Sequence, residues 1–208
     1  MAAPGRYTVR IKADGASYTQ PFRVVKDPAI PSSDADLGAS TRAQVRIRDD
    51  MNATVDMINR LEIMRKQIED QRKSNAVDAA AKTALAELDK KMLNVELQLL
   101  TTSDLYSDDK WYVEKYRIYM NLIWLFGEVG TGAGDVAGGA EFRPTDASMA
   151  VLSDIERDLT VAKSAFATLM ETDLPAFNAS MTGKLPQITD KLPDKKKVEP
   201  VVPDAAVR

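Results

Sequence analysis

Cysteine and histidine are both absent from this chain of 208 residues. The first absence excludes disulfides and thiolate metal sites. The second removes the commonest metal ligand and the commonest general base near neutral pH. There is also no long hydrophobic run. The longest apolar patch, Ile118 to Phe126, falls well short of the roughly 20 residues a spanning helix needs. The N-terminus, MAAPGRYTVRIK, lacks the apolar centre of a signal peptide. Basic charge is not in excess either. A net charge of −3 argues against a general nucleic-acid binder, which would be basic overall or along one face. The chain reads as soluble, with no transmembrane segment, no nucleic-acid partner and no cofactor.

Aromatic residues are scarce, at 6% of the chain, and they are unevenly placed. Trp111 to Val129 holds both tryptophans, three tyrosines and a phenylalanine, so the other elements are expected to pack around this stretch. Ile118, Leu122, Leu125 and Val129 share one side at helical spacing. Tyr112, Tyr116, Tyr119, Ile123 and Phe126 share another. A helix that is apolar on two faces calls for cover on both, hence a bundle.

Upstream, Pro4 to Val25 has the pattern of a β-hairpin. Tyr7, Val9 and Ile11 alternate with Thr8, Arg10 and Lys12, the period of a half-buried strand. Asp14-Gly15 supplies the turn. Tyr18 to Val25 forms the return strand, in which Pro21 marks an edge or a bulge. A hairpin alone is marginal in water, so its apolar face needs more strands or the helices against it. Pro28 and Pro31 then punctuate a linker, and Ser33 with Asp36 reads as a helix N-cap with an acid in the first turn.

Three further helices follow from periodicity. The first runs from about Asp34 to Ser74, with Ile47, Met51, Val55, Ile58, Leu61, Met64 and Ile68 on one side, and Gly38 as a possible early break. The second spans about Ala76 to Thr102. Its Leu85, Leu88, Met92, Val95 and Leu99 step three and four residues in strict alternation. The break at Ser74-Asn75 makes these two an antiparallel pair. After the aromatic helix and a glycine-rich connector, Thr145 caps a helix carrying Leu152, Ile155, Leu159, Ala162, Phe166 and Leu169, ending near Glu171. Leu174-Pro175 starts a further short turn to Met181. From Thr182, lysines alternate with Pro186, Pro193, Pro200 and Pro203, which reads as a disordered tail. The expected fold is mainly α: an antiparallel four-helix bundle (32–181) with an N-terminal β-hairpin (1–27) and a disordered C-terminal tail (182–208).

Few residues suggest chemistry. Gly130-Thr131-Gly132-Ala133-Gly134 looks like a phosphate cradle, but a helix precedes it and no Lys-Ser/Thr follows, so it reads as a connector. Glu114 and Glu128 could act as acids if buried in an apolar groove, yet ordinary surface roles fit them better. Asp104, Asp108 and Asp109 lack the ligand spacing of a calcium loop and suit helix capping, as do Asp34 and Asp36. Lys195-Lys196-Lys197 reads as part of a solvated tail. Trp111 and Tyr112, at the start of the aromatic helix, are the candidates for an open stacking surface. With Tyr7, Val9, Ile11, Tyr18 and Phe22 of the hairpin, they make up the expected interaction residues. No catalytic, cofactor or metal site is assigned.

The segment PGRYTVRIKADGASYTQPFRVVKDPAI resembles the closing strands of an Ig-like domain in large bacterial proteins. There that domain follows a BNR/sortilin-type β-propeller, in proteins described as glycosyl-hydrolase-like or sialidase-like. Pro4-Gly5, Tyr7, Val9, Gly15, Gln20, Val24 and Asp27-Pro28 carry the likeness, together with Arg143-Pro144-Thr145-Asp146 in the helical region. It covers residues 4 to 178. The loop at Asp104 to Trp111 departs from the pattern. The propeller and most of the Ig-like domain are not in this sequence, so no catalytic residue carries over. The resemblance implies an exported parent and a periplasmic or extracellular location. The reading is a non-catalytic structural or interaction module: an accessory subunit, or the C-terminal part of a propeller-containing protein. It meets another protein chain through the hairpin edge. The alternative is a glycoside-hydrolase-type enzyme or a carbohydrate-binding module. An enzyme of that type needs two carboxylates about 5 to 10 Å apart across a cleft.

Overall fold

A computed structural model describes residues 2–101, 114–131 and 141–191. Two strands come first, β1 (Gly5–Ala13) and β2 (Ala16–Val24), paired antiparallel with Ala13 opposite Ala16 and Gly5 opposite Val24. Asp14 (φ 49°) and Gly15 (φ 76°) both sit at positive φ. That is the two-residue turn whose twist matches paired strands. Helices follow: α1 (Asp34–Lys73), α2 (Ala79–Leu99), α3 (Ile118–Thr131), α4 (Asp146–Thr168) and, after a wide π turn at Leu169–Asp173, the short α5 (Leu174–Ser180). The fold is mainly α, a helical bundle with an N-terminal hairpin.

Local chemistry sets the helix starts. Ser33 and Asp36 form a reciprocal capping box, each side chain accepting the other's backbone N–H at 3.1 Å. Asp78 caps α2 by accepting from Ala81 N at 2.7 Å, and Thr145 caps α4 by accepting from Ser148 N at 3.0 Å. Gly38 does not break α1, which runs unbroken for 40 residues, about 60 Å at 1.5 Å per residue.

Helix α1 is the spine. Arg65 pairs with Asp89 and Glu96, which places α2 along its C-terminal half. Gly130 lies against Gln44, which places the end of α3 on the N-terminal half. Helix α4 runs parallel to α1, since Arg46 meets Glu156, Asp50 meets Lys163 and Arg60 lies over the Phe166 ring. The core is continuous along these elements: Ile47, Leu61 and Ile68 of α1; Leu85, Met92 and Leu99 of α2; Leu122 of α3; Leu152 and Leu159 of α4.

Three further expectations change. In α1, Met51 and Val55 are only half-buried, and Thr54 takes the central place. Ser40, Ile47, Thr54, Leu61 and Ile68 are all buried at seven-residue intervals, the repeat that holds one face toward a partner helix. The Thr54 hydroxyl is satisfied within its own helix, donating to Asp50 O at 2.8 Å.

Helix α3 begins at Ile118, not near Trp111. Residues 114–117 are non-helical, and Glu114, Lys115 and Arg117 interrupt the apolar period there. Only its Ile118, Leu122, Leu125 and Val129 face is buried. Off that face, Tyr119 packs partly against the core, whereas Phe126 and, on the opposite flank, Trp124 are exposed.

The tail leaves the bundle later than Thr182. Met181 to Lys184 turns the chain back through Gly183 at φ 77°. Ile188 then enters the core, 1% exposed. Asn178 clamps it by donating to Ile188 O and accepting from Ile188 N, both at 2.9 Å. Gln67 does the same for Thr189 at 2.7 and 3.0 Å. These side-chain amides satisfy backbone groups as a neighbouring strand would. Residues 192–208, with the lysine run, lie outside the described residues.

Candidate interaction surface

The pairing register sorts the hairpin into two faces. Tyr7 lies opposite Phe22, Val9 opposite Gln20 and Ile11 opposite Tyr18. Successive side chains alternate across a strand, so Tyr7, Val9, Ile11, Tyr18 and Phe22 share one face. Tyr7 and Phe22 stack with ring centroids 5.8 Å apart, and the Tyr7 hydroxyl donates to Ala3 O at 2.7 Å. The other face carries Arg6, Thr8, Arg10 and Lys12 of β1 with Ser17, Thr19, Pro21 and Arg23 of β2. Among the described residues no helix packs against either strand. Ile11 is 59% and Tyr18 63% exposed as a result. Five expected interaction residues thus come together on one uncovered apolar face. Trp111 and Tyr112 lie outside the described residues.

A folded linker holds the hairpin to the bundle. Asp27 Oδ1 accepts from Ala29 N at 2.8 Å, and Ile30 N donates to Asp27 O at 3.1 Å. Lys26 Nζ reaches Ser32 O at 2.7 Å, and Ser32 Oγ donates to Glu141 O at 2.5 Å. These bonds span the junction and join it to the segment before α4.

Glu114 precedes α3 and Glu128 lies on it, both exposed. Asp34 is an exposed first-turn residue. Asp36 is engaged in the cap, and its hydrogen bonds with the Ser33 side chain and backbone hold its carboxyl below the ordinary range. Asp104, Asp108, Asp109 and most of the glycine-rich connector lie outside the described residues. Among the described residues, no group of three or more acids could hold a metal ion, and no helix is long and apolar enough to cross a membrane.

Periodicity did not disclose one charged cluster. An open groove of about 930 Å³ lies between α1 and α2. On its wall, Arg65 Nε donates to Asp89 Oδ1 at 2.8 Å while Nη1 bonds Glu96. The Glu96 side chain is only 7% exposed. Burial pushes its carboxyl above the ordinary glutamate range, against the opposing pull of Arg65, and Glu62 and Asp89 add to the upward push. The Arg65–Glu96 pair couples α1 to α2. Sequence offered one hint, since Glu96 lies next to the seam residue Val95.

No protein-family model, no curated protein and no solved structure matches the chain.

Proposed function

We propose that this chain is a non-catalytic structural and interaction module whose hairpin docks on the sheet of a different protein chain. The observation that carries this is the hairpin itself. A nine-residue ladder stands away from the helices with Val9, Ile11, Tyr18 and Phe22 exposed on one face. Among the described residues, both of its edges leave backbone donors and acceptors without a strand neighbour, the arrangement used in β-strand addition. Val9, Ile11 and Phe22 are each about half exposed, so burying the remainder in a partner would contribute about 1 kcal/mol each. The resemblance to the closing strands of an Ig-like domain supports the reading, because such strands belong to a larger sheet. It also supports an exported accessory subunit, or the C-terminal part of a propeller-containing protein, acting in the periplasm or outside the cell.

Deleting residues 2–25 should leave helical circular dichroism and thermal unfolding nearly unchanged but abolish the chain's association in its source cells, read by cross-linking and size-exclusion chromatography. Assembly that survives the deletion would reduce the hairpin to an appendage. Turnover of model glycosides, lost in Glu114→Gln, would favour the hydrolase alternative instead.

A further inference from the structure

The edge that docks, and the chemistry of what it meets, follow from ladder parity. The pair that closes a two-residue turn is hydrogen-bonded, and bonded and non-bonded pairs then alternate along the hairpin. Ala13 and Ala16 are the closing pair. Ile11–Tyr18, Val9–Gln20 and Tyr7–Phe22 are therefore bonded pairs, whose backbone groups are used inside the hairpin. Lys12, Arg10, Thr8 and Arg6 turn their N–H and C=O groups outward along the free edge of β1. Ser17, Thr19, Pro21 and Arg23 do so along β2. Pro21 has no N–H, so the β2 edge lacks a donor at its centre, the place a strand proline is tolerated. Only the β1 edge is complete.

The same four β1 residues bear three cations and a hydroxyl, all on the polar face. Arg23 on β2 lies directly opposite Arg6, a like-charge pairing that disfavours the isolated hairpin. None of Arg6, Arg10, Lys12 and Arg23 joins an ion pair with another described residue, and the only acid of the hairpin is Asp14 in its turn. A strand laid along β1 places its alternate residues beside these cations and its remaining residues in line with Tyr7, Val9 and Ile11. Opposite charges are favoured at such cross-strand positions and like charges are disfavoured. A second copy of the hairpin fails this requirement, since its β1 edge carries three cations, its β2 edge carries Arg23, and neither carries an acid. A nucleic-acid duplex would satisfy the cations but offers no backbone N–H and C=O ladder to the β1 edge.

The geometry points to one partner for β1: a protein strand that alternates acidic with apolar residues, the acids lying beside Arg6, Arg10 and Lys12. This rests on the hairpin being the docking surface and adds which edge is used and which sequence pattern it selects.

The probes are peptides as long as β1 in which valine alternates with glutamate, with lysine or with threonine, and a short DNA duplex. Each is added to the isotope-labelled full chain, and amide exchange is followed by NMR. The glutamate peptide should protect the amides of Arg6, Thr8, Arg10 and Lys12 and leave those of Ser17, Thr19 and Arg23 unchanged. It should bind about tenfold or more tighter than the lysine peptide, with the difference shrinking in high salt. The double variant Arg10→Glu/Lys12→Glu should reverse the ranking; both changes lie on the exposed polar face, and hairpin folding is read from the same spectrum. Equal protection by all three peptides would overturn the acidic pattern while leaving docking at the edge intact. Protection along β2 would overturn the choice of edge. Binding of the duplex alone would overturn the protein strand as partner, and loss of every peptide's effect would overturn the inference as a whole.

Discussion

Replacing Arg65 by alanine should lower the unfolding free energy by about 3 kcal/mol at neutral pH, near the lower end for removing one partner of a buried ion pair. Glu96 is the reason. Its side chain is 7% exposed, against 29% for Arg65, so the carboxylate is the member that water cannot reach once the guanidinium is gone. Asp89 also loses a partner, but at 26% exposure it can be hydrated. The loss should depend on pH with a defined sign. Burial already holds the Glu96 carboxyl above its ordinary value of 4.5, and Arg65 opposes that rise. Without Arg65 it moves higher still. A carboxyl whose folded pKa is raised binds protons more readily in the folded than in the unfolded chain, so its contribution to stability falls as pH rises through the raised value. The deficit of Arg65→Ala is therefore largest at neutral pH and shrinks on acidification toward 4.5. Urea unfolding at neutral and mildly acidic pH measures both numbers. Adding Glu96→Gln should recover much of the loss at neutral pH, because an uncharged amide replaces the stranded carboxylate. A deficit that is the same at both pH values, with no recovery in the double variant, would mean that Arg65 acts through the packing of its stem alone.

Legibility in this sequence followed the range of the interactions. The hairpin was readable because its signals are adjacent in the chain: alternating residues on β1 and the Asp14-Gly15 turn. The seams of α2 and α4 were readable because their buried residues, Glu96 excepted, are apolar. In α1 the same repeat places hydroxyl residues, Ser40 and Thr54, in the core. A hydropathy reading skips them and substitutes Met51 and Val55. The ordered part of the tail was illegible for a different reason. Ile188 is a single apolar residue between prolines and lysines, with no periodicity around it. Its place depends on Asn178 and, through Thr189, on Gln67, which is 122 positions away in sequence. Of the candidate surface, composition gave the apolar face of the hairpin. Whether helices cover that face is a tertiary fact, and only the register brings Arg6 and Arg23 together on its back.

Helix α3 tests most sharply which apolar residues are core. Leu122→Ala should cost about 2–5 kcal/mol, the range for truncating a packed leucine. Trp124→Ala should change stability by no more than about 0.5 kcal/mol, as for surface sites. The larger side chain thus matters less, because Leu122 is fully buried while Trp124 is 59% exposed. The helix has apolar residues on both sides, so sequence alone ranks Trp124 first by area. The packing of α3 decides otherwise. The rotation of α3 turns Ile118, Leu122, Leu125 and Val129 inward. Leu122 joins the same cluster as Ile47 of α1 and Leu159 of α4. Removing its branched end leaves a cavity that straight helices cannot close by collapsing, since each is held by its other neighbours. Urea unfolding of the two variants gives both values. The Trp124→Ala variant should also lose much of a tryptophan emission signal that is accessible to quencher in the folded chain. A destabilisation by Trp124→Ala larger than that by Leu122→Ala would mean that α3 is rotated, with its Trp124 side turned inward.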